Sequence, residues 1–303
     1  MTEVDVSPLV PEVREVAREA AACYLNHLGP WLRCLLIHGS AVKGGFIPYA
    51  SDLDFQAYLE DSAFAEDGQV RLEASLAIQN ELNQIELGIV SYVQCFPLRL
   101  QGRADWTPPV PGSYYVVSGN LPVAPATAEQ LLDAAHARLS TMSALPFKTS
   151  DSLLDAGQGR LDRVVRLLST DVWPTLYQVL TCLTDDPLTV WCLPKEQAIQ
   201  LLPEGESPRS EIERFYAAVL ERARQGKDAE SSLEVLRRGV DFLRAAKAWY
   251  AGRPAGTTEH SAAGGMRGER ERALLLLGCV VVSVLVVVIV LIGIITALHP
   301  HLF

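Results

Sequence analysis

Apolar residues recur at helical spacing from Pro11 to Leu28 (Val13, Val16, Ala17, Ala20, Ala21, Tyr24, Leu25, Leu28), which predicts an amphipathic helix. Leu32 to His38 is a short apolar run ending in Gly39-Ser40, a buried strand that feeds a glycine-containing turn. After an irregular loop from Lys43 to Ala50, the stretch Ser51 to Leu59 alternates: Asp52, Asp54, Gln56 and Tyr58 fall on one face, Leu53, Phe55, Ala57 and Leu59 on the other. Gln69 to Gln84 again has helical spacing, and Ile85 to Pro97 predicts a third strand.

The next segment, residues 104–127, is rich in Pro and Gly with Trp106, Tyr114 and Tyr115 interspersed, and reads as an irregular connection. Thr127 followed by Gln130 has the spacing of a capping box. From there helix follows helix, at about 128–144, 151–169, 173–184, 194–202, 208–225 and 229–250. The order predicts an α+β chain: a small unit with a mixed sheet over residues 1–103, the connection at 104–127, and an α-helical bundle over 128–251.

Residues 252–272, with Gly252, Pro254, Gly256, Gly264 and Gly265, read as a flexible linker. Residues 273–298 carry no charge and are apolar on every side, which predicts one C-terminal transmembrane helix, since roughly 20 apolar residues span a bilayer. Arg267, Arg270 and Arg272 precede it, so the positive-inside bias puts the preceding region in the cytoplasm. Residues 1–20 hold five acidic residues and no apolar core, so the expected insertion signal is the C-terminal helix itself.

The formal charge of −10 disfavours a nucleic-acid partner, whose affinity for protein comes from clustered Lys and Arg. An acidic surface tolerates a small cationic partner instead. The six cysteines (Cys23, Cys34, Cys95, Cys182, Cys192, Cys279) have no metal-ligand spacing and mostly sit in apolar stretches, as buried thiols do.

The chemistry concentrates between His38 and Glu60. Gly39 lets backbone approach a phosphate, and the Ser40 hydroxyl with nearby N–H groups supplies donors. Eleven residues on, Asp52 and Asp54 project from one strand face as hard oxygen ligands suited to Mg²⁺. Strand, Gly-Ser, aspartate pair and strand together point to phosphoryl or nucleotidyl transfer. A third acid is expected to activate the incoming hydroxyl, and Glu86, at the start of the predicted third strand, is the candidate.

The stretch HGSAVKGGFIPYASDLDFQAYLE resembles the aminoglycoside O-nucleotidyltransferases, in particular the streptomycin and spectinomycin adenylyltransferase branch of the DNA polymerase β-like superfamily. The resemblance rests on Gly39 to Val42, Gly44-Gly45, Pro48 and Ser51 to Asp54, and continues through Glu86, Pro97 and Arg99, with Leu98 in place of an aromatic residue. It implies that Gly39, Ser40, Ser51 and Lys195 hold ATP, that Asp52, Asp54 and Glu86 hold Mg²⁺, and that Glu86 is the general base. Trp173, Asp185, Asp186 and Trp191 are candidates to face the acceptor; core packing for the tryptophans and a helix-ending turn for the aspartates are the alternatives. The implied activity is Mg²⁺-dependent transfer of AMP from ATP to a hydroxyl of a small, cationic, aminoglycoside-like acceptor, with release of pyrophosphate. Nucleotidylation of a protein or tRNA end, and a non-catalytic nucleotide-sensing module at the membrane, are the competing readings.

Overall fold

In the computed structural model, residues 4–101, 107–146 and 149–253 are described. A 3-10 turn at Pro11–Val13 leads into α1 (Arg14–Leu28), which buries the expected stripe of Val16, Ala17, Ala20, Ala21, Tyr24 and Leu28. Four strands, β1 (Leu32–His38), β2 (Leu53–Leu59), β3 (Val93–Arg99) and β4 (Tyr114–Gly119), form a sheet of order β3-β2-β1-β4. β1 pairs antiparallel with both β2 and β4, whereas β2 and β3 run parallel, so the sheet is mixed.

The period-two pattern assigns the faces. Leu53, Phe55, Ala57 and Leu59 join Leu35 and Ile37 in a buried cluster with α1, where Tyr24 meets Phe55 edge-on at 5.1 Å. Fully burying side chains of this size stabilises the layer by about 1.5–3 kcal/mol each. Asp52, Asp54, Gln56 and Tyr58 are left to the opposite side, on which Tyr58 packs with Leu36 and Leu98.

Two sequence expectations are corrected here. The third strand starts at Val93, not Ile85: residues 85–92 form a loop in which Val90 N–H donates to Leu87 O and Gly88 takes φ +54°. Side-chain periodicity does not report that backbone, which is tied to a neighbouring loop through Tyr49 N–H to Ile89 O and Ser91 N–H to Ser51 O. The connection at 104–127 holds β4, whose aromatic and β-branched Tyr114, Tyr115, Val116 and Val117 suit a strand despite the flanking Pro and Gly.

Between these strands lie α2, a single turn at Ser40–Lys43, and α3 (Leu72–Leu82), shorter than expected. The helical region comprises α4 (Ala128–Thr141), α5 (Thr149–Ser152), α6 (Arg160–Thr181), α7 (Pro187–Cys192), α8 (Lys195–Gln200), α9 (Ser207–Gln225) and α10 (Ala229–Ala251). The Thr127 capping box is formed with Gln130. One helix, α6, replaces the two expected around Pro174. Proline removes a helical hydrogen bond at a cost of about 3 kcal/mol, but Val165, Leu168, Val172, Leu176 and Val179 continue one buried stripe through it.

The sheet and the helices have separate hydrophobic cores within one compact unit, Met1–Gly252. Among the described residues no helix is long and apolar enough to cross a membrane. The expected span at 273–298, and the linker from residue 254, lie outside them.

Candidate active site

Asp54 is the second residue of β2, and Asp52 stands just before the strand. Asp54 pairs across the sheet with His38 at the end of β1 and with Gln94 on β3, so three strands bring polar side chains together at one end of the sheet. Gly39 follows His38 with φ +81° and ψ −148°, a conformation natural only to glycine, and an added Cβ there would stand 3.5 Å from Asp54 Oδ2. Its N–H donates to Ser113 O next to β4, which fixes the turn over the aspartates.

A cleft of about 1010 Å³ opens between this end of the sheet and the helical region. Gly39, Ser40, Ser51, Asp52, Asp54 and Lys195 all line it, with His38 beside them, so the structure brings together every residue expected to hold metal or ATP except one. That exception is Glu86, exposed in the loop before β3 and absent from the cleft wall. The position beside Asp54 belongs to Gln94, whose amide donates to Asp54 Oδ1 and whose Oε1 accepts from the Tyr92 hydroxyl at 2.9 Å. Ser51 is committed to its loop: its hydroxyl accepts from Ile47 N–H at 2.9 Å.

The electrostatics are unusual for so small a volume. Burial, reinforced by the charge of Asp54, pushes the Asp52 carboxyl up to about 6. Burial also raises Asp54, against the opposing effects of Gln94 and Lys195. Two half-buried carboxylates, one raising the other's cost of ionisation, are a donor set that a hard dication satisfies, so Asp52 and Asp54 fit Mg²⁺. Lys195, half-buried at the start of α8, supplies a positive charge near both; desolvation lowers its pKa while the aspartates oppose that shift.

Lys43, at the end of α2, is a site residue the sequence reading missed. Its Nζ donates to Trp191 O at 3.0 Å and lies 3.7 Å from the centre of the Tyr177 ring. Burial, with help from Lys195, brings its pKa down to about 7. His38 was missed too: burial takes it down to about 4, so the imidazole is neutral, and its Nε2 is buried without a hydrogen-bond partner among the described residues.

Across the cleft, α6 and the α9–α10 turn face β3. The Arg166 guanidinium stacks 4.0 Å over the Tyr92 ring, and Lys227 Nζ reaches Ser91 Oγ at 3.3 Å. Arg222 is buried between Asp162 and Ser232, and Arg138 pairs with Asp171. Trp173 and Trp191 line the cleft while also packing on the helical core, Trp173 against Phe215 at 5.1 Å and Trp191 stacked on Tyr177 at 5.3 Å. Asp186 caps α7 through Thr189 N–H, the structural alternative weighed for it, and neither it nor Asp185 is part of the wall. Arg99 pairs with Asp61 at the far end of β3, and Pro97 lies in the same strand.

No family model matches the chain, and no curated protein matches it. Among solved structures, the spectinomycin adenyltransferase AAD(9) from Enterococcus faecialis, with ATP and spectinomycin, is similar with a TM-score of 0.44 and 14% identity, covering 77% of this chain and 98% of that one. A likeness this remote carries no weight for the site, which rests on its own residues.

Proposed function

We propose that this chain is a Mg²⁺-dependent nucleotidyltransferase that moves AMP from ATP to an oxygen of a small acceptor. The observation that carries the reading is the convergence of Asp52 and Asp54 beneath the Gly39-Ser40 turn, in a cleft whose other charges on that side are Lys43 and Lys195. Mg²⁺ held by the two aspartates would neutralise charge on the α-phosphate. The chain's own residues do the rest: Gly39 lets the backbone approach the phosphates, and Lys43 and Lys195 balance the charge of the pyrophosphate as it leaves.

Gln94 favours a second reading, a module that binds Mg-ATP without turnover, because an amide cannot take a proton from an acceptor hydroxyl. Calorimetry of ATP binding to the full-length protein, with and without Mg²⁺, tests the common ground of both. Asp52→Asn is expected to abolish the Mg²⁺-dependent part of binding; ATP binding that ignores both the metal and the mutation refutes nucleotidyl transfer. Release of pyrophosphate from ATP plus an acceptor then separates enzyme from binding module.

A further inference from the structure

We propose that the acceptor is a phosphate monoester, and that its own ionised oxygen is the nucleophile. The inference rests on the nucleotidyl-transfer reading and deepens it at two independent points, the missing base and the charge of the acceptor wall.

A hydroxyl acceptor must lose a proton as it attacks, so a group able to take that proton has to stand near it. The parallel register of β2 and β3 places Gln94 beside Asp54, and its side-chain nitrogen already donates to that carboxylate. Tyr92 is spent on the same partner, its hydroxyl donating to Gln94 Oε1 at 2.9 Å. Among the described residues the cleft has two further carboxylates, Asp162 and Asp171, and each is engaged by an arginine. His38 ends β1 beside the Gly39 turn, and β2 separates that strand from β3. A phosphate monoester has no such requirement, because its attacking oxygen is ionised at neutral pH.

The second point is the wall facing β3. Arg166 over Tyr92, Lys227 at Ser91, Arg163 one turn earlier on α6, the buried Arg222 and Arg138 set five cations against the two carboxylates of Asp162 and Asp171. Lys43 and Lys195 lie by contrast with Trp191, Tyr177 and the aspartates, on the Gly39 side where the triphosphate is expected. A polycationic acceptor would be repelled by the β3-side wall, whereas an arginine fork matches a phosphate. In the step itself, a non-bridging oxygen of the acceptor phosphate bonds to the α-phosphorus of ATP. The bond from that phosphorus to the α–β bridging oxygen breaks, and pyrophosphate leaves with the electron pair. No O–H bond is broken, and the product is an adenosine diphosphate ester of the acceptor.

The test uses full-length protein, Mg²⁺ and ATP labelled in the α-phosphate. It is offered a panel of sugar and polyol phosphates, the same compounds unphosphorylated, and aminoglycosides. Label is expected only in the phosphorylated acceptors. Arg166→Gln is expected to raise the acceptor KM at least about tenfold while the Mg-ATP Kd stays within about twofold, with Lys227→Met as the second variant should the first not fold. Transfer to unphosphorylated hydroxyls or to aminoglycosides overturns the proposal. So does loss of ATP affinity in these variants as large as the acceptor effect, and so does ATP binding with no transfer to any compound. Absence of Mg²⁺-dependent ATP binding in the wild type removes the nucleotidyl-transfer reading as well, which keeps the two failures distinct.

Discussion

Replacing Lys43 with Met is expected to make the protein more stable and less able to bind ATP. The ammonium is held in the cleft by Trp191 O and the Tyr177 ring, yet burial and Lys195 lower its pKa from 10.5 to about 7. At 1.36 kcal/mol per pKa unit, that displacement corresponds to a charge penalty of at most about 5 kcal/mol. Water in the cleft and the lost bond to Trp191 O, worth about 1 kcal/mol, reduce the expected gain to roughly 2 kcal/mol. The unfolded chain keeps the proton on Lys43 up to about pH 10.5, whereas the folded chain releases it near 7. The penalty is therefore full below pH 7, and the wild type gains stability as pH rises from 7 towards 10.5. Urea unfolding at pH 6.5 and pH 9 measures this directly. The advantage of Lys43→Met should be larger at pH 6.5 and shrink at pH 9, while calorimetry shows Mg-ATP affinity falling at least about tenfold through loss of a phosphate partner. A variant less stable than wild type at pH 6.5, or an advantage independent of pH, would refute the reasoning.

Gly39→Ala forces a Cβ into a positive-φ turn facing Asp54, at a backbone cost of about 1–3 kcal/mol, and should both raise the ATP KM and lower the melting temperature. Because Asp52 is held near 6, protons compete with the dication below that pH. The Mg²⁺-dependent component of ATP binding should weaken by up to about tenfold per pH unit under pH 6, as seen by calorimetry. Gly239→Ala puts a Cβ 2.6 Å from Leu168 and 3.1 Å from Phe215, where α10 meets α6 and α9, and should cost about 1–3 kcal/mol in denaturant unfolding. Residues 273–298, taken as a membrane span, should keep the protein in the carbonate-resistant membrane fraction; truncation after residue 252 should release it.

Local periodicity made the first half of the sheet legible. Helix α1, strand β1, the Gly39 turn and the inward and outward faces of β2 all follow from residues whose neighbours in sequence are also neighbours in space. The residue beside Asp54 was not legible for the same reason reversed. Glu86 and Gln94 both lie near the start of an apolar run, and only the pairing of β2 with β3 puts Gln94 beside Asp54. Tyr114 to Val117 has strand chemistry, but the surrounding Pro and Gly dominate a sequence reading, and pairing with β1 decides the matter. Lys43 stood inside the motif without drawing notice, because its importance depends on α7 and α8 folding back over α2, nearly 150 residues later in the chain.

The charges on the Gly39 side form two mutually unfavourable pairs. Asp54 raises the cost of ionising Asp52, and Lys195 lowers the basicity of Lys43. Lys195 offsets part of the aspartate charge, yet it is itself driven towards neutrality by burial. Gly45 is seated against Pro194, with an added Cβ only 3.0 Å from Pro194 Cβ, and Lys43 is bonded to Trp191 O, so the groups cannot drift apart without breaking the contact between sheet and helices. A dication at the aspartates and a polyphosphate at the lysines would relieve both pairs at once, each by supplying the opposite charge that the protein withholds. A metal alone relieves only the acids and adds repulsion for Lys195, and free ATP relieves only the lysines while meeting the aspartates. On the proposed reading, metal and nucleotide are therefore expected to bind cooperatively, and this complementarity of perturbed groups supports that reading more than the Gly-Ser and Asp-Leu-Asp motif does.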